Sequence, residues 1–291
     1  IEGHPPYCSY ESAVTILSPV GYVIPDAVAR WNEKFPQIYL HALAIMPDHI
    51  HACVDVTSHL PNGLSRAIGS LKGSISSAYH QSIPEEMRPA EMQALFAKGF
   101  NDRIAYDKEQ WERQIHYTFD NPRRYMIKRD MPEYMTTRWI ITIGNDQYVA
   151  KGNIFLLHQP HVLQVKFSRK FQPKEAEDWR TWNRTLIQNG SIPISPFIHP
   201  EERSMRDYAV DNGLAYVRIC ENGFAEREHA YGKEFGLMSE GRLLLIAPME
   251  HQTRKREMKY QYAQVLNGMA MRISSCINSG MPWYSEQLRS F

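Results

Sequence analysis

The sequence predicts an α/β protein in two parts, and three observations carry the prediction. Apolar strands at Ile38–Ile45 and Ile50–Val56 flank a Pro47-Asp48 turn, the pattern of an antiparallel hairpin. Helical spacing of apolar residues stands before and after that hairpin. Beyond about Asp130 the pattern changes to short apolar runs alternating with helical stretches, a βαβ-like order. The parts are expected at residues 1–136 and 137–291.

In chain order, Tyr22 to Lys34 reads as a helix that leads into the hairpin. Asn62-Gly63-Leu64-Ser65 opens a second helix through about Tyr79, with Leu64, Ile68, Leu71 and Ile75 at core spacing. Pro84 to Pro89 reads as a loop, and Arg103 to Tyr106 as a short strand. Asp107 with Gln110 three residues on is an N-terminal capping pair for a third helix, and Asn121-Pro122 is its expected stop. In the second part, strands are expected at Ile140–Ile143, Ile154–Leu157, Val162–Phe167, Ile192–Ile194, Leu214–Ile219 and Leu243–Ala247. Helices are expected at Glu201–Asn212 and from about Thr253 to Cys276. This is a doubly wound, Rossmann-like α/β pattern that lacks a Gly-x-Gly-x-x-Gly fingerprint. Ser195-Pro196 and Pro248, at strand ends, would flank a ligand crevice; a purely structural or DNA-docking appendage is the equal alternative.

Composition narrows the class without choosing a function. With 291 residues, 43% of them apolar, the chain can bury two ordinary cores. Cys8, Cys53, Cys220 and Cys276 have no close spacing, so they read as separate thiols in a reducing compartment, which gives a cytoplasmic expectation. No apolar run approaches the ~18 residues of a membrane span. A net charge of +1 argues against a strongly basic nucleic-acid binder. Cations are nevertheless clustered: Arg113, Arg123, Arg124, Lys128 and Arg129 accompany the third helix, and Arg254, Lys255, Arg256 and Lys259 lie near the end. A solvated helix face is the plain reading of both clusters.

Most of the chemistry is concentrated in Met46-Pro47-Asp48-His49-Ile50-His51. Strand side chains alternate, so His49 and His51 share one face while Ile50 points to the core. Two imidazoles on one rigid face are half of a metal site. A chance His-x-His pair is common in a chain with twelve histidines, but the turn at the mouth of a hairpin favours an open polar site.

The segment closely resembles the Met-Pro-Asn-His-Val-His signature of single-tyrosine HUH transposases, in particular the REP-associated tyrosine transposases, with Asp48 for Asn and Ile50 for Val. That family carries a tyrosine on a later helix ending in Tyr-Ile-x-x-Asn-Pro. Tyr117-Thr118-Phe119-Asp120-Asn121-Pro122 has the same spacing, and of Tyr106, Tyr117, Tyr125 and Tyr134 only Tyr117 does. The resemblance covers a little under half of the chain. It implies a ferredoxin-like α+β sandwich with a central antiparallel sheet, and a first strand upstream of Ile1. It also implies Tyr117 as nucleophile and Asn121, one helical turn on, as a companion of His49 and His51 in holding a divalent metal, Mg²⁺ or Mn²⁺. Phe100-Asn101-Asp102-Arg103-Ile104 resembles the family's short strand before the catalytic helix. An exposed turn is its alternative.

The implied activity is that of a single-stranded DNA endonuclease and strand transferase acting through a 5′-phosphotyrosine on hairpin or palindromic repeat DNA. No membrane partner is expected, and a homodimer is a candidate assembly. Lys72, Arg103, Arg113, Arg123, Arg124 and Lys128 are the candidate DNA contacts, since a single strand needs cations along its path and aromatics to stack on. Two other readings stay open: a domesticated DNA-binding protein that keeps the fold without turnover, and an HUH replication-initiation or relaxase nuclease.

Overall fold

The structure is a computed structural model that describes residues 16–87, 94–159, 161–225, 230–248, 251–253 and 260–287. The chain divides into two compact units whose boundary falls between Met126 and Ile127. The basic cluster Arg254, Lys255, Arg256 and Lys259 and the thiol of Cys8 lie outside the described residues.

In the N-terminal unit, α1 (Pro19–Lys34) starts three residues before its sequence-based expectation, because the Ser18 hydroxyl accepts from the Gly21 N–H and a proline occupies the first position. Strands β1 (Ile38–Ile45) and β2 (Ile50–Val56) occupy their expected ranges and pair antiparallel from Ile38↔Val56 to Ile45↔Ile50. Helix α2 (Gly63–Ser82) follows. One face of the hairpin contributes Leu40, Leu43, Ile45 and Ile50 to a core with Ile24, Ala27 and Val28 of α1 and Ile75 of α2, while Trp31 and Ala67 form an adjoining cluster with Ile38. The Trp31 indole N–H donates to the Ala67 carbonyl at 2.7 Å, which removes the cost of burying that polar group. Burial of α1 and α2 on one face leaves the other to α3 (Lys108–Asp130). The antiparallel sheet that carries the histidines consists of β1 and β2 among the described residues.

Two local expectations change here. Residues 101–106 form no strand; they run as irregular chain into α3. Helix α3 also does not stop at Asn121-Pro122 but continues to Asp130. A proline inside a helix removes one hydrogen bond and costs ~3 kcal/mol. Thr118, Asn121, Arg124 and Ile127 are nevertheless all buried at three-residue intervals, so the packed stripe continues past Pro122 and outweighs that cost.

The second unit contains α4 (Pro132–Met135), β3 (Trp139–Ile143), β4 (Asp146–Gly152), β5 (Val162–Gln164), α5 (Pro173–Gln188), β6 (Ile192–Ser195), α6 (Pro200–Asp211), β7 (Tyr216–Ile219), α7 (Gly232–Ser239), β8 (Leu243–Ala247), α8 (Tyr260–Asn278) and β9 (Trp283–Gln287). Its sheet has the order β5-β6-β7-β8-β4-β3-β9, parallel from β5 to β8 and antiparallel beyond. Leu243 to Ala247 are all buried, as a central strand covered on both faces requires. Gly152 allows β4 to pass β8 closely: any side chain there would meet the Leu243 carbonyl.

The expected strand at Ile154–Leu157 is a 3₁₀ turn, because Asn153 caps it through the Phe155 N–H at 3.0 Å. The parallel strands end where the crevice was expected. Ser195 there is fully buried, and its hydroxyl accepts from the Phe197 N–H. Cys53 and Cys220 are buried and Cys276 is partly exposed, none of the three in a disulfide among the described residues, and no described helix is long and apolar enough to cross a membrane.

Candidate active site

The site lies on the sheet face opposite α1 and α2, where β2 meets α3. The hairpin turn ends at His49, and alternation along β2 brings His51 to the same side. Their Nε2 atoms approach to 3.0 Å. Asp48 holds the first ring through Nδ1 at 2.6 Å. An ionised carboxylate can only accept, so Nδ1 of His49 carries a proton and Nε2 is the nitrogen turned toward His51. This hydrogen bond keeps the Asp48 carboxyl below the usual carboxylate range. Burial, and then the neighbouring His49, hold His51 below the ordinary histidine value, which favours the uncharged ring.

Across from the pair, α3 presents Tyr117. Its ring meets His51 edge-on, with centroids 5.9 Å apart, and the guanidinium of Arg124 stands 5.3 Å from the centre of the same ring. One residue on, the Thr118 hydroxyl meets the Cys53 thiol of β2 at 3.2 Å, a buried polar contact that fixes the rotation of α3 against the strand. Tyr117 is 39% exposed, so the phenol is open to a substrate while its backbone is clamped. Asn121 is buried and donates from its side-chain amide to the Tyr117 carbonyl at 2.9 Å. That bond supports the helix immediately before Pro122. Among the described residues, no hydrogen bond joins Asn121 to His49 or His51.

The two histidines fit a divalent ion in donor type and convergence. Both turn an imidazole nitrogen toward one point, and one is oriented by a carboxylate on its far nitrogen, the usual arrangement behind a metal-bound histidine. Among the described residues no third His, Cys, Asp or Glu joins them. Water or substrate oxygen would complete such a site.

The expected DNA contacts divide. The Lys72 ammonium donates to the carbonyls of Ala97 and Gly99 and lies over the Phe96 ring, so it ties a loop to α2. Arg113 pairs with Glu109, and Arg123 with Asp120 at 2.9 Å. Arg103 is exposed and lines a groove of about 940 Å³ beside Tyr117. Lys128 falls beyond the unit boundary. Asp48 and Thr118, which contact the candidate residues or their helix, were not among the sequence-based candidates. The adjacency of Asp48 to His49 in the turn was the available signal for the first; nothing in the sequence marks the second.

The geometry can be set beside known proteins. Residues 23–113 match the family model for IS200-like transposases. The similarity to IS200-like transposases falls on the N-terminal part, where the His49-His51 signature lies, and it ends four residues before Tyr117. No curated protein sequence matches the chain. Among solved structures, DNA processing protein A from Helicobacter pylori, described for its single-stranded DNA binding mode, aligns at 14% identity over 44% of this chain, with a TM-score of 0.32. The aligned part spans 57% of that protein.

Proposed function

We propose that the protein is a metal-dependent single-stranded DNA endonuclease and strand transferase of the transposase class, with Tyr117 as its nucleophile and hairpin-bearing or repeat DNA as its substrate. The observation that carries this reading is the placement of the Tyr117 ring against the converging Nε2 atoms of His49 and His51, in a stretch that borders the transposase match. In the reaction, the phenol oxygen of Tyr117 bonds to a backbone phosphorus and the bond from that phosphorus to the 3′-oxygen breaks. The phenol proton leaves to solvent and the departing 3′-oxygen takes one up. Because one phosphodiester replaces another, the bond energy is kept for rejoining and no nucleotide triphosphate is required.

A free phenol is a weak nucleophile, and this chain helps by position. Asp48 orients His49, Thr118 and Cys53 hold the helix, and Arg124 places a positive charge against the ring that loses its proton. A divalent ion held by His49 and His51, with Asn121 as the proposed further ligand, would supply Lewis-acid polarisation of the scissile phosphate when bound. A homodimer and recognition of palindromic repeats belong to the same proposal.

The test is incubation of the full chain with a labelled hairpin oligonucleotide and Mn²⁺, followed by denaturing electrophoresis and peptide mapping. A DNA adduct on Tyr117 is expected. Binding with no adduct under any divalent ion would leave a DNA-binding role alone, and an adduct on Tyr106 or Tyr125 would move the nucleophile.

A further inference from the structure

A second aromatic series lies on the Tyr117 side of the sheet. Along β1 the register skips between Leu40↔Val54 and Ala42↔Cys53, which leaves His41 as an extra residue without a strand partner. Such a bulge re-aims a side chain. His41 is thereby set between Tyr39, with centroids 4.6 Å apart, and Trp111 of α3, with centroids 4.9 Å apart, both edge-to-face. Tyr39 is 59% exposed, and His41 is exposed as well. Exposed rings held in fixed mutual contact contribute little to a core; they offer flat apolar faces to a ligand.

Trp111 connects this series to the nucleophile. Trp111, Gln114, Tyr117 and Thr118 line one groove, a single stripe of α3. At a rise of about 1.5 Å per residue, Trp111 stands about 9 Å along the helix from Tyr117. That distance corresponds to two or three nucleotides at the roughly 3.4 Å spacing of a stacked strand. The groove wall also carries Asp55, Asp102 and Asp107 against Arg103 and Lys108. Three carboxylates against two cations give a run of phosphates little attraction there, so a strand that enters gains most from its base faces.

From these observations we infer that Trp111, with His41 and Tyr39, forms a stacking platform for nucleobases of the strand that is cleaved at Tyr117. The inference rests on the proposed function and adds the part of the substrate that is recognised: the base faces beside the scissile phosphate. Stacking of a base on an aromatic side chain contributes about 1–3 kcal/mol and tolerates any sequence.

The test compares full-length protein binding to oligothymidine and to an abasic sugar-phosphate strand of equal length, by fluorescence anisotropy without metal. The wild type is expected to prefer oligothymidine, and His41→Ala combined with Trp111→Leu is expected to shrink that preference at least fivefold. The dependence of affinity on salt should stay the same, since phosphate contacts are untouched. Trp111 is half-buried, so Tyr39→Ala with His41→Ala, both exposed and outside the buried core clusters, gives a second measurement and should shrink the preference in the same direction. An unchanged preference in both variants, or a loss that falls equally on the abasic strand with an altered salt slope, overturns the platform. Adduct formation by the wild type is scored separately. A Tyr117 adduct without a base preference removes the platform and leaves the nuclease, whereas the preference and its loss without any adduct do the reverse.

Discussion

Asp48 accepts a hydrogen bond from Nδ1 of His49 at 2.6 Å, and that contact decides which nitrogen of the ring faces His51. Removing a carboxylate behind a metal-bound histidine typically costs ten- to a hundredfold in affinity. Asp48→Ala is therefore expected to weaken Mn²⁺ binding by about that factor, measured by calorimetry. Asp48→Asn, whose side-chain carbonyl still accepts from Nδ1–H, should lose less. Equal affinities for all three proteins would show that the turn does not orient the ring.

His49→Ala and His51→Ala should each abolish Mg²⁺- or Mn²⁺-dependent cleavage with little change in melting temperature. His49 is exposed and His51 half-buried, and both project from the sheet face that the α1–α2 core does not use. A marked fall in melting temperature with cleavage intact would mark them as packing residues.

Tyr117→Phe should keep the fold and DNA binding while losing the covalent adduct, because the ring contacts with His51 and Arg124 need no hydroxyl. Mass spectrometry of the protein after incubation with hairpin DNA reads the outcome directly. An adduct on the phenylalanine variant would exclude Tyr117 as nucleophile.

Much of the first unit was legible from local signals. The β1–β2 hairpin falls on its expected residues because alternation and a Pro-Asp turn agree, and Asp107 caps α3 through the Gln110 N–H at 2.7 Å. The extension of α3 past Pro122 was not legible, since it depends on burial of Thr118, Asn121, Arg124 and Ile127 that the local proline signal opposes. In the second unit, β4 was hidden because a strand ending Lys151-Gly152 reads as a turn until β8 buries it. Helix α5 was passed over because its buried stripe is only Ala176, Asn183 and Ile187. The Pro173 start and the Gln172–Glu175 cap were the available signals. Within the site, the sequence marks His49, His51 and Tyr117, but the position of Arg124 over the tyrosine ring follows only from how α3 is rotated.

The boundary at Met126/Ile127 predicts how the second unit behaves when cut out. Helix α4 packs on α7 and β4, Met131 and Met135 are buried, and the Trp139 indole donates to the Glu133 carbonyl at 3.2 Å. A fragment starting at Ile127 is therefore expected to be more stable in urea than one starting at Arg138. Loss of a buried methionine alone costs about 2 kcal/mol or more. Equal midpoints would place α4 outside the unit's core and favour a boundary near residue 137.

The ion pair between α5 and α6 gives a pH dependence whose sign is fixed. Arg180 donates from Nε and Nη2 to both oxygens of Glu201, at 2.8 and 2.7 Å, and a further nitrogen reaches Glu177 at 2.9 Å. The Arg180 hydrogen bonds are the main cause that holds the Glu201 carboxyl below its ordinary 4.5; burial opposes them, and His199 and Arg184 add to the lowering. A carboxylate with a depressed value in the folded state contributes stability above its unfolded value, and that contribution disappears as pH falls through the folded one. Glu201→Gln should accordingly be less stable than the wild type near neutral pH, and the gap should close in the acid range below about 4.5. The gap will be small because both partners are partly exposed and solvent screens them. Urea midpoints taken in steps from neutral to acid pH measure it. A gap that persists at the acid end would mean that the glutamine disturbs the start of α6 rather than removing a charge, since the Glu201 N–H also donates to the His199 ring there.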